Sequence, residues 1–344
     1  MPARPESLVA ARGPGDLREG KRWTRRQRWK NDAIYGAVRL ALGITIRLPR
    51  SVVRALGWLL GAAVYLGFGS ARRRARERLA AGLGAPPPEA RVMRSFLAMG
   101  AVLADTVALL DPDERPDRTL ALDDDSRAAF REALAEGRGV VFVAAHLGPW
   151  ERMAALLAAE GFPVATVARE SYDPRLTAIY ERIRAPRGVR SIYRGAPGAA
   201  VRIARELRQG RAVGFLVDLP GRAPAATARL FGEPARIAIG PARIALARGA
   251  AVVVGTPAGG PLRGGVLRVE IRRIPTHDLA PAGAARRGEP SAGAERVLLD
   301  RLAAELDRRL TSAPEAWLGL YAPADPAGGA RPEDTDLLSS LELR

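Results

Sequence analysis

Beyond about residue 120, short apolar runs alternate with stretches whose apolar positions recur at helical spacing. The runs are bounded by Gly, Pro and charged residues, and several of the helical stretches begin beside a Pro. The pattern predicts strands and helices in alternation, with strands over 140–145, 163–168, 212–217, 251–256 and 266–274, and helices over 149–160, 174–184, 197–209, 239–248 and 294–310. This alternation predicts an α/β fold in which a central, largely parallel (mixed) sheet is flanked by helices.

The N-terminal region is apolar and basic at the same time. Residues 33–69 are mostly apolar, and residues 55–71 form an uncharged run of 17 residues, the lower limit for crossing a hydrocarbon core of about 30 Å. Basic clusters at 18–30 and 72–78 flank this region. Both clusters favour the cytoplasmic face, whereas a single crossing would place them in different compartments. We therefore expect membrane-associated helices that lie along or dip into one leaflet; a pair of buried soluble helices is the alternative.

These changes in composition along the chain predict four segments. We expect a flexible arm at 1–17, basic, apolar membrane-associated helices at 18–80, an α/β domain at 91–321 and a flexible tail at 322–344. A Pro-rich linker at 81–90 separates the helices from the domain. A cleavable signal peptide is not expected, because no apolar segment follows the first charges.

Composition narrows the chemistry. The chain has no cysteine, which excludes disulfides, thiolate metal ligands and cysteine nucleophiles. Its two histidines, His146 and His277, are too few for a metal site built from several imidazoles. The formal net charge is +17, and all but two of the 54 basic residues are arginine. A surplus of this size predicts an anionic partner, which composition alone leaves open among nucleic acid, a phospholipid surface and an acidic substrate.

The segment VFVAAHLGPWE, residues 141–151, places candidate chemistry at the end of a strand. His146 follows the apolar run directly, Gly148 permits a sharp turn, and Pro149 is suited to open a helix. Ligands of open α/β sheets gather beyond the carboxyl ends of the strands. Glu151 lies in the first turn of the predicted helix, where its carboxylate can fold back and accept a hydrogen bond from the imidazole. Such a pair suits a general base that deprotonates a hydroxyl.

The residues alone also permit structural roles. A Glu in a first helical turn is favourable through the helix dipole, and a single His at a strand end is often a satisfied structural group. Arg169 can hold a phosphate or pair at the surface with Glu170 or Asp173. Asp218 can orient Arg169 or a bound acceptor, or form a turn before Leu-Pro. His277 is expected at the surface.

Several segments together resemble one family. His146 and Glu151 match the H-x4-D/E motif of membrane acyltransferases, and their surroundings resemble the late (lauroyl/myristoyl-type) acyltransferases of lipid A biosynthesis. Further segments match in chain order: an arginine motif at 167–169 with Asp-Pro at 173–174, a strand ending in Asp at 214–218, an F-G-x-P-A block at 230–235, G-P-A at 240–242 and P-E-x-W at 314–317. With the basic, apolar N-terminal region, the resemblance covers about residues 23–321.

The resemblance implies an O-acyltransferase. It would move a fatty acyl chain from an acyl thioester, on acyl carrier protein or CoA, to a hydroxyl of a phosphorylated membrane glycolipid, expected to be a lipid A precursor of lipopolysaccharide biosynthesis. His146 would remove the hydroxyl proton and Glu151 would orient His146, while Arg169 and Asp218 would bind substrate. The expected location is the cytoplasmic leaflet of the cell inner membrane, with the catalytic domain in the cytoplasm. No metal or cofactor is expected, and no covalent acyl-enzyme, because the chain has neither cysteine nor a G-x-S-x-G elbow.

Three departures from the family pattern bear on the identity of the acceptor lipid. Leu219-Pro220 follows Asp218 where glutamine is usual, Leu230 replaces an aromatic residue, and Gly319–Tyr321 replaces a basic and aromatic ending. Acylation of another glycolipid or lysophospholipid, such as a phosphoinositide mannoside, and a catalytically silent lipid-binding relative are therefore kept as alternatives. A nucleic-acid-binding protein would also account for the charge. It does not account for the apolar region at 33–69, and no nucleic-acid-binding motif is present, so no nucleic-acid partner is expected.

Overall fold

The computed structural model describes residues 23–220, 223–259, 265–279 and 291–322. The predicted arm at 1–17 and all but the first residue of the predicted tail at 322–344 lie outside these ranges. The strands are β1 Leu120–Leu122, β2 Val140–Ala144, β3 Val164–Arg169, β4 Arg190–Arg194, β5 Ala212–Leu216, β6 Ala225–Leu230, β7 Glu233–Ala238, β8 Ala251–Ala258 and β9 Leu267–Ile274. The helices are α1 Arg25–Thr45, α2 Arg50–Gly67, α3 Gly69–Leu83, α4 Glu89–Ala108, α5 Asp124–Ala135, α6 Trp150–Ala159, α7 Pro174–Arg184, α8 Ala199–Arg208, α9 Gly240–Arg248 and α10 Ala292–Ser312.

Seven strands form one sheet in the order β1-β9-β8-β2-β5-β3-β4. The strands β8, β2, β5, β3 and β4 are mutually parallel, whereas β9 runs antiparallel to β8 and parallel to β1. The predicted α/β fold with a largely parallel, mixed sheet is confirmed. β2 lies between β8 and β5, and all five of its residues are buried, as expected for a strand covered on both faces.

Helices cover both faces of the sheet. On one face, Leu298, Leu302 and Leu306 of α10 pack in a core cluster with Val141 and Val143 of β2. On the other face, helices α5 and α6 pack in a second cluster with Val140, Phe142 and Ala144 of β2. Alternate side chains of β2 therefore enter two different cores, one on each face of the sheet. This fixes which side chains of the strand face each layer of helices.

A two-stranded hairpin, β6 and β7, stands apart from the main sheet. At its tip, the Phe231 ring is buried and contacts the indole of Trp317 edge to face, with ring centroids 5.5 Å apart. The Phe231 amide donates a hydrogen bond to the Asp307 carboxylate of α10. These contacts hold the hairpin tip against the C-terminal segment of the described chain.

Helices α1, α2 and α4 line one cavity together with residues at the carboxyl ends of β3 and β4 and with His146, which follows β2. α2 and α4 approach so closely that a Cβ on Gly100 would lie 1.9 Å from the carbonyl oxygen of Gly57. The outer surface of α1 and α2 carries exposed apolar side chains, among them Leu40, Leu59 and Leu66. None of the described helices is long and apolar enough on its own to cross a bilayer. Taken together, α2 and α3 have a sufficient length and an apolar enough composition, but the two helices are bent by 96° where they join.

Candidate active site

His146 lies just beyond the carboxyl end of β2. Its backbone carbonyl accepts a hydrogen bond from the Leu318 amide at 2.9 Å, and the amide of Gly148 donates to the carbonyl of Ala316 at 2.9 Å. Gly148 has φ of +60°, which turns the chain into α6. The C-terminal segment around residues 316–318 thus clamps the backbone on both sides of Leu147, so that the imidazole is presented from a fixed main chain.

The imidazole is held by Asp218. The two side chains meet because His146 and Asp218 each follow, by two residues, the register pair Ala144 and Leu216 at the ends of the adjacent strands β2 and β5. The Nδ1 atom of His146 lies 2.8 Å from Oδ1 of Asp218, and the His146 amide donates to both carboxylate oxygens at 3.0 Å. The indole Nε1 of Trp317 donates to Oδ2 at 2.7 Å. The Asp218 carboxylate is completely buried and is surrounded by these three donors.

This arrangement selects one tautomer of the imidazole. An ionised carboxylate only accepts hydrogen bonds, so Nδ1 of His146 carries a proton, and in the neutral ring Nε2 then holds the lone pair. The ring is 21% exposed and lines a large cavity, and Trp150 stands edge to face beside it with centroids 5.1 Å apart. Within the described chain Nε2 has no hydrogen-bond partner, which leaves it available as a base toward a group in the cavity.

Glu151 does not make the predicted contact with His146. Its carboxylate is buried and forms two hydrogen bonds with the guanidinium of Arg184 at the end of α7, one of them at 2.9 Å. The first turn of α6 carries Glu151 toward α7, whereas the neighbouring strand β5 delivers Asp218 to the imidazole. Burial alone would lower the pKa of Arg184, but the hydrogen bond and charge of Glu151 outweigh it and raise the pKa. The predicted contact between Glu151 and His146 is therefore not formed, and Asp218 holds the imidazole instead.

The next residue anchors the same helical turn. Arg152 is completely buried, forms an ion pair with Glu114 at 2.7 Å, and donates hydrogen bonds to the backbone carbonyls of Asp105 and Arg115. Burial lowers the pKa of Arg152. Together with the Glu151–Arg184 pair, this contact ties α6 to α4 and α7 and keeps the turn after His146 in place.

Arg169 ends β3 and lines the same cavity as His146. The surface pairing considered for it is not formed with Asp173, which instead caps α7 by accepting from the Arg175 amide at 3.0 Å and also pairs with the Arg175 guanidinium. Within the described residues Arg169 has neither an ion pair nor a side-chain hydrogen bond. Asp218 contacts His146 rather than Arg169, so two of the four predicted site residues, His146 and Asp218, are brought into direct contact.

The cavity has a volume of about 2460 Å³ and a mainly apolar wall. Helices α4, α8 and α9 contribute aliphatic side chains, including Leu103, Ile203 and Ile244, and the polar ends of β3 and β4 line another part of the wall. Tyr180 lies in the wall beside Glu151, and burial followed by the charge of Glu151 raises the pKa of its phenol. Within the described part of the chain no group of three or more His, Asp or Glu is placed to hold a metal ion.

Two site residues have no role in the sequence-based prediction. In the sequence, Trp317 stands out only as part of a family motif, and its hydrogen bond to Asp218 spans 99 positions along the chain. Arg184 was predicted only as the end of a helix, and no local pattern distinguishes it from the other 51 arginines, since only two of the 54 basic residues are lysine.

Comparison with known families decides the assignment. The model of the family described as bacterial lipid A biosynthesis acyltransferase matches residues 31–320, most of the chain. The chain belongs to this family. No match was found among curated proteins. Family membership implies an acyltransferase of lipid A biosynthesis.

Proposed function

We propose that the protein transfers a fatty acyl chain from an acyl thioester, carried by acyl carrier protein or CoA, to a hydroxyl of a membrane glycolipid, with a phosphorylated lipid A precursor as the acceptor. The observation that carries this proposal is the His146–Asp218 pair at the wall of a large apolar cavity. An apolar cavity suits an acyl chain, and an oriented imidazole beside it suits activation of a hydroxyl.

The proposed reaction is a direct transfer. Nε2 of His146 removes the proton of the acceptor hydroxyl while the hydroxyl oxygen attacks the thioester carbonyl, and the resulting tetrahedral intermediate collapses with loss of the thiolate. The proton taken up by the imidazole then passes to the thiolate, so that the products are an ester and a free thiol. Asp218 holds the Nδ1 proton throughout and stabilises the imidazolium that forms.

The remaining predicted residues take supporting roles in this proposal. Glu151, the acid of the H-x4-E motif, acts as a positioning residue, since it fixes Arg184 and thereby the α6–α7 part of the cavity wall. Arg169 binds an anionic group of the substrate or the oxyanion of the intermediate, because a guanidinium donates two parallel hydrogen bonds to such groups.

The exposed apolar face of α1 and α2 is proposed to rest in the cytoplasmic leaflet of the inner membrane. Leu59 and Leu66 are 65% and 73% exposed, and Trp29 is 77% exposed. Exposed apolar residues of this size beside basic side chains are typical of helices that lie in a membrane interface. Because Val38 of α1 and Leu60 of α2 also line the cavity, a lipid acceptor would reach His146 from the membrane side.

A reconstituted transfer assay tests the proposal. The purified protein in mixed micelles is given a lipid A precursor and either an acyl-acyl carrier protein or an acyl-CoA, and the lipids are analysed by mass spectrometry. The expected product is heavier than the acceptor by one acyl chain and is absent with H146A. Transfer only to a lysophospholipid or a mannosylated phosphoinositide would identify that lipid, and not a lipid A precursor, as the acceptor. Thioester binding without any turnover would contradict the proposed activity.

A further inference from the structure

A second cluster of positive charge lies in the cavity, separate from the His146–Asp218 pair. Arg169 and Arg194 are the last residues of the adjacent parallel strands β3 and β4, and they are register partners. Both side chains line the cavity, and across the described chain neither forms an ion pair or a side-chain hydrogen bond. Like charges on neighbouring strands are unfavourable unless an anion lies between them.

The acidic residues of the cavity wall are already engaged. Glu151 pairs with Arg184, Glu295 pairs with Arg243 at 2.7 Å, and Glu170 also has an interaction of its own. Burial, followed by the positive charge of Arg169, lowers the pKa of Arg194. Both arginines are exposed, and the pair therefore contributes uncompensated positive charge to the open wall of the cavity.

The helix that follows adds hydrogen-bond donors to the same place. β4 leads through Gly195–Gly198 into α8, whose N-cap, Gly198, has no side chain to accept from the first turn, and that turn has no acidic residue. The amides of Ala200 and Val201 donate to no protein group in the described chain, and both residues line the cavity. Free amides at a helix N-terminus beside arginine are a common phosphate site.

We propose that Arg169, Arg194 and the amides of Ala200 and Val201, here named the β4–α8 cradle, bind a phosphate group of the substrate. The inference rests on the proposed function and specifies where the phosphate of one substrate is bound. Two substrates carry such a group: the headgroup of the acceptor glycolipid and the phosphopantetheine arm of the thioester carrier. The chemistry of recognition is the same for both, since each presents phosphate oxygens to a guanidinium pair and to backbone amides.

The test measures binding without turnover, in the H146A background. Two matched pairs of probes are used: a bisphosphorylated lipid A precursor and its dephosphorylated form in phosphatidylcholine nanodiscs, and dodecanoyl-4′-phosphopantetheine and dodecanoyl-pantetheine in solution. The phosphorylated member of one pair is expected to bind about tenfold more tightly than its partner, because a charge-assisted bidentate contact is worth at least that factor. R194Q and R169Q are expected to abolish this difference without weakening the dephosphorylated member.

The matched control is R202Q. Arg202 lies on the same helix, is exposed, and does not line the cavity, so its substitution is expected to preserve the discrimination. Loss of discrimination in the glycolipid pair assigns the cradle to the acceptor headgroup, and loss in the pantetheine pair assigns it to the donor. Discrimination in neither pair, or discrimination that survives R194Q in every pair that shows it, overturns the inference.

The outcome is separable from that of the proposed function. If the wild-type protein transfers the acyl chain but shows no phosphate discrimination, the proposed phosphate site is contradicted and the proposed activity is supported. If discrimination depends on Arg194 but no acceptor receives an acyl chain, the phosphate site is supported and the proposed activity is contradicted. Thermal unfolding of R194Q is expected to match that of the unsubstituted protein, because no ion pair within the described residues is lost.

Discussion

Nδ1 of His146 and Oδ1 of Asp218 lie 2.8 Å apart, although the two residues are 72 positions apart in the chain. The parallel pairing of β2 with β5 produces this contact, because it brings the two strand ends to the same edge of the sheet. Asp218 in turn receives the indole hydrogen bond of Trp317, so that three distant segments define one imidazole orientation.

Replacing Asp218 by asparagine tests the role of its negative charge. In D218N the amide oxygen can still accept from Nδ1, but the negative charge that stabilises the imidazolium is lost. We expect kcat to fall by about 10²- to 10⁴-fold with small changes in KM, measured by transfer kinetics. W317F, which removes the indole donor together with part of the buried ring that contacts Phe231, is expected to lower kcat by about fivefold. A D218N enzyme with near-wild-type kcat, and a circular dichroism spectrum that shows it folded, would contradict the role of Asp218.

Glu151 and Arg184 are predicted to act as a buried structural pair. E151A leaves the Arg184 guanidinium buried without its partner, so we expect the free energy of unfolding to fall by about 3–5 kcal/mol in urea titrations. The double variant E151M/R184M removes both charges and should recover most of this loss. If instead E151A lost activity with unchanged stability, Glu151 would act directly in the chemistry rather than by positioning.

The contact between α2 and α4 should tolerate no added side-chain volume. In G100A the new Cβ would lie 1.9 Å from the Gly57 carbonyl oxygen, a backbone atom, so the two helices must separate. We expect a loss of about 1–3 kcal/mol in stability and a higher KM for the acyl donor, because both helices line the cavity. G43A is the control: only the flexible end of Arg47 lies within 4 Å of its Cβ, and it should be neutral or stabilising. Equal melting temperatures of G100A and G43A would refute the close packing.

Membrane association is predicted to depend on the exposed face of α2. The double variant L59E/L66E replaces two exposed leucines and should reduce binding to anionic vesicles by tenfold or more, since each buried leucine contributes about 1.5–3 kcal/mol. V297E changes an exposed apolar residue of α10, outside the N-terminal helices, and should bind as the wild type does. Vesicle flotation measures both. Unchanged flotation of the double variant would exclude this face as the membrane contact.

Much of the fold follows from local patterns. The helix predicted over 174–184 has those bounds in the structure because Asp173 caps it and Pro174 begins it. The buried strands β2, β5 and β8 were predicted within one or two residues, since each is a continuous apolar run between breakers. Strand β4 was not predicted: it begins and ends with arginine, and only Ile192 is fully buried, so it lacks both an apolar run and alternation.

The site was predictable only in part. His146 could be identified because a strand ending in histidine before Gly-Pro has a local signature. Its partner could not, because the choice between Glu151 and Asp218 depends on which strand lies next to β2, and the order of strands in a parallel sheet leaves no mark in a single sequence. The pairing of Arg169 with Arg194 depends on register between β3 and β4 and was hidden for the same reason.

The bonds that Leu318 and Trp317 make to the His146–Asp218 unit also govern when activity can arise during synthesis. A ribosome must translate about 170 further codons after His146 before these two partners exist, so a nascent chain that has exposed its apolar N-terminal helices still lacks an ordered base. Under the proposed mechanism, catalytic competence therefore arises only after the N-terminal helices have been synthesised.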